Sequence, residues 1–420
     1  MSPFSRLYDL FFSPASNEDQ QPCTSLTAPR HAQLPLEIVI HILDEACASE
    51  QDPAPLLRNA ALVCRDWSFI AQPLLFRDVV LASQTACDAF LSAAHTGSAR
   101  GHMLANAVSR MKVVLDANQP QALSQQSFAR AVIACPNLCE LDVAMYGRDD
   151  LNTSANHSTT RRSVPTFDAS TLDVLRAAGP RMKSLHFNNA SDSDACIFQL
   201  LDVFSSLESL ALSGTPPKLP ATLHAPRYPG VVQELRLNCQ TAVSVDFIRW
   251  LLGNSEESQL KTLELEREQP MEVVDHLVAT HANSLRSLAV PACTTHDMAA
   301  AVNKCTNLDE LRIEHPWVTP VLVKALSRKL RRLAIALDQD SVVQPWVDYV
   351  RHAERLEALT VQVWGTQNES VQQQQLPPPA LMMACAYRGT VLEATRDIKV
   401  FRSVVRREPV VPSPFSMARK

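Results

Sequence analysis

Apolar positions follow two different periods along this chain, and the change from one to the other falls near residue 76. Before it, Leu34-Pro35-Leu36-Glu37-Ile38-Val39-Ile40-His41-Ile42-Leu43 reads as a helix. Pro35 suits its first turn, where a missing N–H removes no hydrogen bond. Glu37, His41 and Asp44 or Glu45 recur at steps of three and four and make one polar stripe, while Leu36, Ile38, Val39, Ile40, Ile42 and Leu43 fill more than half of the circumference. A surface helix needs a narrower apolar face, so this one is expected to bury two sides. Asp52-Pro53-Ala54-Pro55 ends it and sets up the next helix. From there Leu56, Ala60, Val63, Trp67, Ile70 and Leu74 step by four, three, four, three and four, one continuous apolar seam. Two such helices within about forty residues are too small a unit to be stable unless it docks on something.

After residue 76 a strand-like unit takes over: an apolar residue, two variable ones, a leucine, one variable residue and an apolar one. Its central leucines are Leu141, Leu185, Leu210, Leu235, Leu263, Leu288, Leu311, Leu333 and Leu359, spaced 25, 25, 28, 25, 23, 22 and 26 from Leu185 onward. Phe76–Leu81 and Val108–Val113 read as degenerate earlier copies centred on Val79 and Met111. Helical stretches such as Phe128–Cys135, Phe247–Leu252 and Trp346–His352 lie between. One strand and one helix cannot close a core within a repeat, so neighbours must stack. The expected fold is α/β: a curved solenoid of parallel strands and outer helices over about 77–365, preceded by a small all-α unit at 34–76. An ordinary parallel sheet joined by helices would alternate similarly, but the near-constant interval favours the solenoid.

The punctuation fits that plan. Residues 1–33 read as a disordered arm, Arg148–Pro165 as a polar insertion and Thr215–Pro229 as a proline-rich excursion. A Gln/Pro-rich linker over 366–380 ends the array, and 381–420 is expected to supply one or two capping strands and a tail.

The order L-P-x-E-I…I-L followed by V-C-R-x-W, with Pro73-Leu74-Leu75-Phe76 at its exit, resembles the F-box motif over about 34–76. The intervening Ala48-Ser49-Glu50-Gln51-Asp52 is longer and more polar than usual for that motif. The resemblance implies that Leu34, Pro35, Ile38, Ile42, Leu43, Val63, Cys64 and Trp67 contact a Skp-family adaptor and through it a cullin, while the rest of the chain holds a protein substrate. An ordinary helical hairpin around a buried Trp is the alternative. The later copies resemble the leucine-rich repeats that follow the F-box in many substrate receptors. The Asn or Cys of that pattern is met only by Cys293; Ala190, Thr215, Gln240 and Pro316 stand at other copies, so irregular turns are expected.

Composition narrows the chemistry. A net charge of −5 and no basic patch give no support for a nucleic-acid partner. Nine glycines against 28 prolines argue against phosphate-cradling loops. Eleven scattered cysteines, with Cys135 and Cys139 the closest pair, read as reduced thiols rather than a zinc site. No leader and no membrane-length apolar run stand out, so an intracellular protein without a membrane partner is expected. No catalytic or cofactor motif is present: His276, His281, His296 and the carboxylate pairs Asp192/Asp194 and Asp338/Asp340 read as core, surface or turn residues.

The variable strand positions would line the inner wall of such a solenoid. They carry Glu140, Asp142, Glu234, Glu264, Glu266, Glu310 and Glu314 against Arg236, Arg312 and Arg332. An acidic wall favours a basic partner segment. Glu234, Arg236, Glu264, Glu266, Glu310, Arg312 and Glu314, with Trp317 at the rim, are therefore the expected substrate contacts; charges that merely keep a sheet soluble are the plainer alternative. The reading is a substrate receptor of a cullin–RING ubiquitin ligase, with a non-catalytic scaffold solenoid as the alternative.

Overall fold

The structure, a computed structural model, describes residues 34–49, 53–147, 166–191, 195–219, 227–253, 259–364 and 377–407. The expected arm at 1–33, the insertion at 148–165, most of the Gln/Pro-rich linker, the Asp192/Asp194 pair and the final tail lie outside the described residues.

The N-terminal unit has three helices, α1 (Leu36–Ser49), α2 (Ala54–Ala60) and α3 (Arg65–Phe76), not the two expected. The seam that reads as continuous is cut at residues 61–64. There the Leu62 and Val63 amides donate to the carbonyls of Asn59 and Ala60, an i→i+3 tightening that closes α2, and Cys64 turns extended to start α3. Val39, Leu43, Leu57, Ala60 and Ala71 form a small separate core, with Leu56, Trp67, Ile70 and Leu74 packed at its margin.

The remainder is one open sheet of twelve parallel strands in sequence order. It begins with β1 (Asp78–Leu81), α4 (Gln84–Ala93), α5 (Ala99–Ala107), β2 (Arg110–Asp116), α6 (Gln125–Ala134) and β3 (Glu140–Gly147). It continues through α7 (Ala169–Arg176), β4 (Ser184–Ser191), α8 (Ala195–Val203), β5 (Ser209–Gly214), β6 (Glu234–Cys239), α9 (Val245–Leu252) and β7 (Thr262–Leu265). Then come α10 (Met271–His281), β8 (Ser287–Val290), α11 (His296–Lys304), β9 (Glu310–Ile313), α12 (Pro320–Ala325) and β10 (Arg332–Leu337). The last repeats are α13 (Gln344–His352), β11 (Ala358–Val363), α14 (Pro379–Arg388) and β12 (Val391–Thr395), followed by α15 (Ile398–Arg406).

The repeat leucines set the register. Val79, Met111, Leu141, Leu185, Leu210, Leu235, Leu263, Leu288, Leu311, Leu333, Leu359 and Leu392 stand side by side across all twelve strands. Nearly all of this row is buried in one continuous core between the sheet and the helices. Helices start where the turns place a capping side chain: Ser83, Ser98, Ser124, Asp168, Ser244, Thr295 and Thr319 each accept a bond from an amide in the first turn. Cys293 sits fully buried in a turn whose backbone is tied to Trp317 and Thr319 of the next repeat. The architecture is thus an α/β, leucine-rich-repeat-like solenoid behind an all-α helical unit. The two adjoin through α3, where Phe76 stacks with Phe90 at 6.3 Å between ring centroids.

Of the one or two capping strands expected in the C-terminal stretch, the described part of 381–420 holds one, β12, with the rest of α14 before it and an unexpected helix, α15, after it. Gly389, at φ 69°, ends α14 in the left-handed conformation, and Leu392 rejoins the ladder. Asp397 then caps α15, accepting from the Lys399 amide. Phe401 and Val405 of α15 pack with Trp364 on Ala334 and Ala336 of β10. In β10 these alanines alternate with Leu333, Ile335 and Leu337, which belong to the main core. A strand alternates its side chains between faces, so α15 lies on the face of the sheet opposite the other helices.

Candidate protein-interaction surfaces

The N-terminal unit covers only one side of α1. Val39 and Leu43 face its core at 2% exposure each, whereas Leu34, Ile38 and Ile42 remain 54%, 46% and 43% exposed. Ile38 and Ile42, four residues apart, lie on one side of the helix, and Leu34 stands exposed just before its start. The turn between α2 and α3 offers further apolar surface, with Leu62 at 84% and Val63 at 63%. Pro35 and Cys64 are exposed and Trp67 is half-buried. Of the expected adaptor contacts, Leu43 is therefore corrected: it supports α1 from beneath, because the step of four that links it to Val39 turns it onto the core. Leu62, which the sequence pattern does not single out, projects beside Val63. It falls outside the helical seam, so only the break between α2 and α3 reveals that it projects. Each large aliphatic left in water forgoes roughly 1.5–3 kcal/mol of burial, which marks this surface as one a partner can cover.

The second surface is the helix-free face of the sheet. One row across it, set by register, reads Arg236, Glu264, Ala289, Arg312 and Ala334. Ala289 is small, so Arg312 reaches past it to donate to Glu264 at 2.6 Å. Arg236 approaches the same carboxylate from the other side at 2.7 Å. The expected open acidic wall is closed by α15. Arg402 donates to Glu314 at 2.7 Å, and Arg406 bonds Glu314 at 3.0 Å and pairs with Glu266 at 3.2 Å. Arg407 reaches Glu310 at 2.5 Å and Ser287 at 3.1 Å, while Arg312 donates to the Val405 carbonyl. Burial pushes the Glu310 carboxyl up, but Arg312, Ser287 and Arg407 outweigh it and hold the group below its ordinary range.

Five of the expected substrate contacts are thereby corrected. Glu264, Glu310, Arg312 and Glu314 are engaged within the chain, and Glu264, Arg312 and Glu314 are buried. Glu266 is likewise paired to Arg406. The physical reason is that the basic segment suited to this wall is the chain's own. Arg236 is half-buried on Glu264, and Glu234 is exposed. Trp317 is 59% exposed and stacks on His315 at 5.5 Å, so it does stand at the rim rather than in the core. Toward β2–β4 the face holds a mixed polar row: Lys112 pairs with Asp142 at 3.2 Å, and His186 lies 3.6 Å from the same carboxylate. Burial raises the Asp142 carboxyl, and His186 and Lys112 outweigh it to leave it below its ordinary value.

Among the described residues no group of three or more His, Cys, Asp or Glu side chains could hold a metal, and no helix is long and apolar enough to cross a membrane. None of the ten described cysteines forms a disulfide, and most of them are buried.

A family model described as F-box-like matches residues 31–82, which span α1, α2, α3 and β1. The N-terminal unit is F-box-like. Among solved structures, the chain is similar to the protein of a TLR13–ssRNA13 complex at 14% identity, over 63% of this chain and 37% of that one, with a TM-score of 0.32. The chain thus spans well under half of that protein's length, and the likeness is too low to add to what the sheet itself shows. None of the curated proteins matches the chain.

Proposed function

We propose that this protein is the substrate-recognition subunit of a Skp–cullin–F-box type ubiquitin ligase and acts inside the cell. Leu34, Pro35, Ile38, Ile42, Leu62, Val63 and Cys64 would dock on a Skp-family adaptor, with Trp67 at the margin, and the adaptor would carry the cullin. The solenoid would hold a protein substrate. In this role the chain contributes position rather than bond-making chemistry. The observation that carries the reading is the uncovered pair Ile38 and Ile42, with Leu34 exposed just before them, on a helix that belongs to an F-box-like unit and whose opposite side already has a core. A partner completes what the fold leaves open.

The test is co-purification with a Skp-family adaptor, comparing the wild type with an Ile38→Asp, Ile42→Asp variant whose fold is checked by circular dichroism. Capture by the wild type and loss in the folded variant is the expected result. Absence of capture by well-folded wild type would overturn the ligase reading in favour of a scaffold solenoid.

A further inference from the structure

The face covered by α15 has the chemistry of a receptor site. Glu264, Glu266, Glu310 and Glu314 come from β7, β9 and the turns that follow them, and Arg236 and Arg312 are the sheet's own cations paired with them. Arg402, Arg406 and Arg407 supply the remaining positive charge. Beside the carboxylates lies an apolar shelf of Ala334, Ala336 and Trp364 that receives Phe401 and Val405. The matching sequence is compact: Phe401-Arg402 and Val405-Arg406-Arg407 repeat an apolar–arginine pair four residues apart, one turn of helix.

α15 is held as a removable element would be. It is tethered to β12 only through Arg396 and Asp397. Two of its side chains are buried apolar anchors, and of the arginines that grip the carboxylates, Arg402 and Arg407, the residue just after the helix, stay 43% and 42% exposed and Arg406 23%. Its apolar contacts form a cluster separate from the main core, so the solenoid interior does not depend on it. Partly exposed ion pairs weaken with salt.

We propose that this acidic cradle is a binding site for a basic amphipathic helix of a partner protein, and that α15 is its intramolecular occupant, to be displaced by a helix of the form apolar-Arg-x-x-apolar-Arg-Arg. This deepens the substrate-receptor reading by naming the chemistry of the bound segment, and it rests on that reading only for the partner being a substrate. A ligand that competes with a built-in occupant binds more weakly in proportion to the fraction of vacant sites. Loosening α15 therefore raises affinity for the same helix supplied in trans.

The experiment uses a fluorescein-labelled peptide of residues 397–407 and the full chain, read by fluorescence anisotropy, without any adaptor. The Arg402→Glu, Arg406→Glu variant is expected to bind it at least about tenfold more tightly than the wild type. Adding Glu314→Gln to that variant should abolish the gain, as should high salt. Equal binding to wild type and variant, or no binding by the folded variant, would overturn the proposal. Loss of a cooperative melt in the variant would also overturn it, by making α15 an integral part of the solenoid. A wild-type dimer in light scattering that the two substitutions dissolve would overturn the partner assignment in favour of a second copy of this chain. Because no adaptor is present, failure here leaves the F-box reading standing, and failure of adaptor capture leaves this site standing.

Discussion

Arg312 and Glu264 are separated by 48 residues and meet at 2.6 Å across the small side chain of Ala289. Arg312 is 1% exposed and turns a second nitrogen to the Val405 carbonyl, so a single guanidinium joins β7, β9 and α15. Removing one member of a buried pair strands the other.

Arg312→Ala is accordingly expected to cost on the order of 3 kcal/mol, the lower part of the range for broken buried pairs. Glu264 keeps Arg236 at 2.7 Å, which holds the cost to that end. Urea denaturation measures it, and hydrogen exchange over 398–406 should speed up in the same variant. A loss under about 1 kcal/mol would show that the pair gives little beyond its own desolvation.

The two sides of α1 should respond oppositely to truncation. Leu43→Ala opens a cavity in a small core and is expected to destabilise the N-terminal unit by about 2–5 kcal/mol. Ile42→Ala, one residue away but exposed, should stay within about 0.5 kcal/mol. Hydrogen exchange of α1, α2 and α3 distinguishes them, since the solenoid's separate core is not expected to report either change. Similar effects from both would mean that α1 is covered on both sides.

The ladder was legible because its central leucines recur at nearly constant steps and each must pair with the next. Leu392 escaped that reading: it follows Leu359 by 33 residues, with the Gln/Pro-rich stretch between. The break at 61–64 left no trace in the periodicity, since the seam keeps its helical step across it. Which side of α1 is covered was equally hidden, for it depends on how α2 and α3 pack. The acidic wall was read correctly as acidic, but its occupant was not. The carboxylate Glu314 and the arginines that meet it lie 88 and 92 residues apart, and no local pattern announces such a pairing.

Gly214 tests the irregular turns. It sits at φ 82°, and a Cβ there would stand 2.1 Å from the Asn189 carbonyl oxygen, which the Thr215 amide already engages at 2.7 Å. Gly214→Ala combines a left-handed backbone with that clash, and a cost of about 1–3 kcal/mol is expected. Denaturant unfolding checks the size, and exchange of the Thr215 and Gln240 amides checks the place. An unchanged midpoint would mean that the turn relaxes around a methyl group.

His281, near the end of α10, is 1% exposed. Burial, with a smaller contribution from His276, holds its imidazole down to about 4 from an ordinary 6.5. In the folded chain it is therefore neutral across the mildly acidic range, where the unfolded chain takes up a proton. Stability linked to this group is complete above about pH 6.5 and is lost as pH falls from 6.5 toward 4, because there the unfolded state binds more protons. The full effect is on the order of 3 kcal/mol. His281→Gln removes the titration, so its urea midpoint should fall less than that of wild type between pH 7 and pH 4.5, whatever its stability at pH 7. Identical pH slopes for the two proteins would show that His281 takes up its proton as readily folded as unfolded.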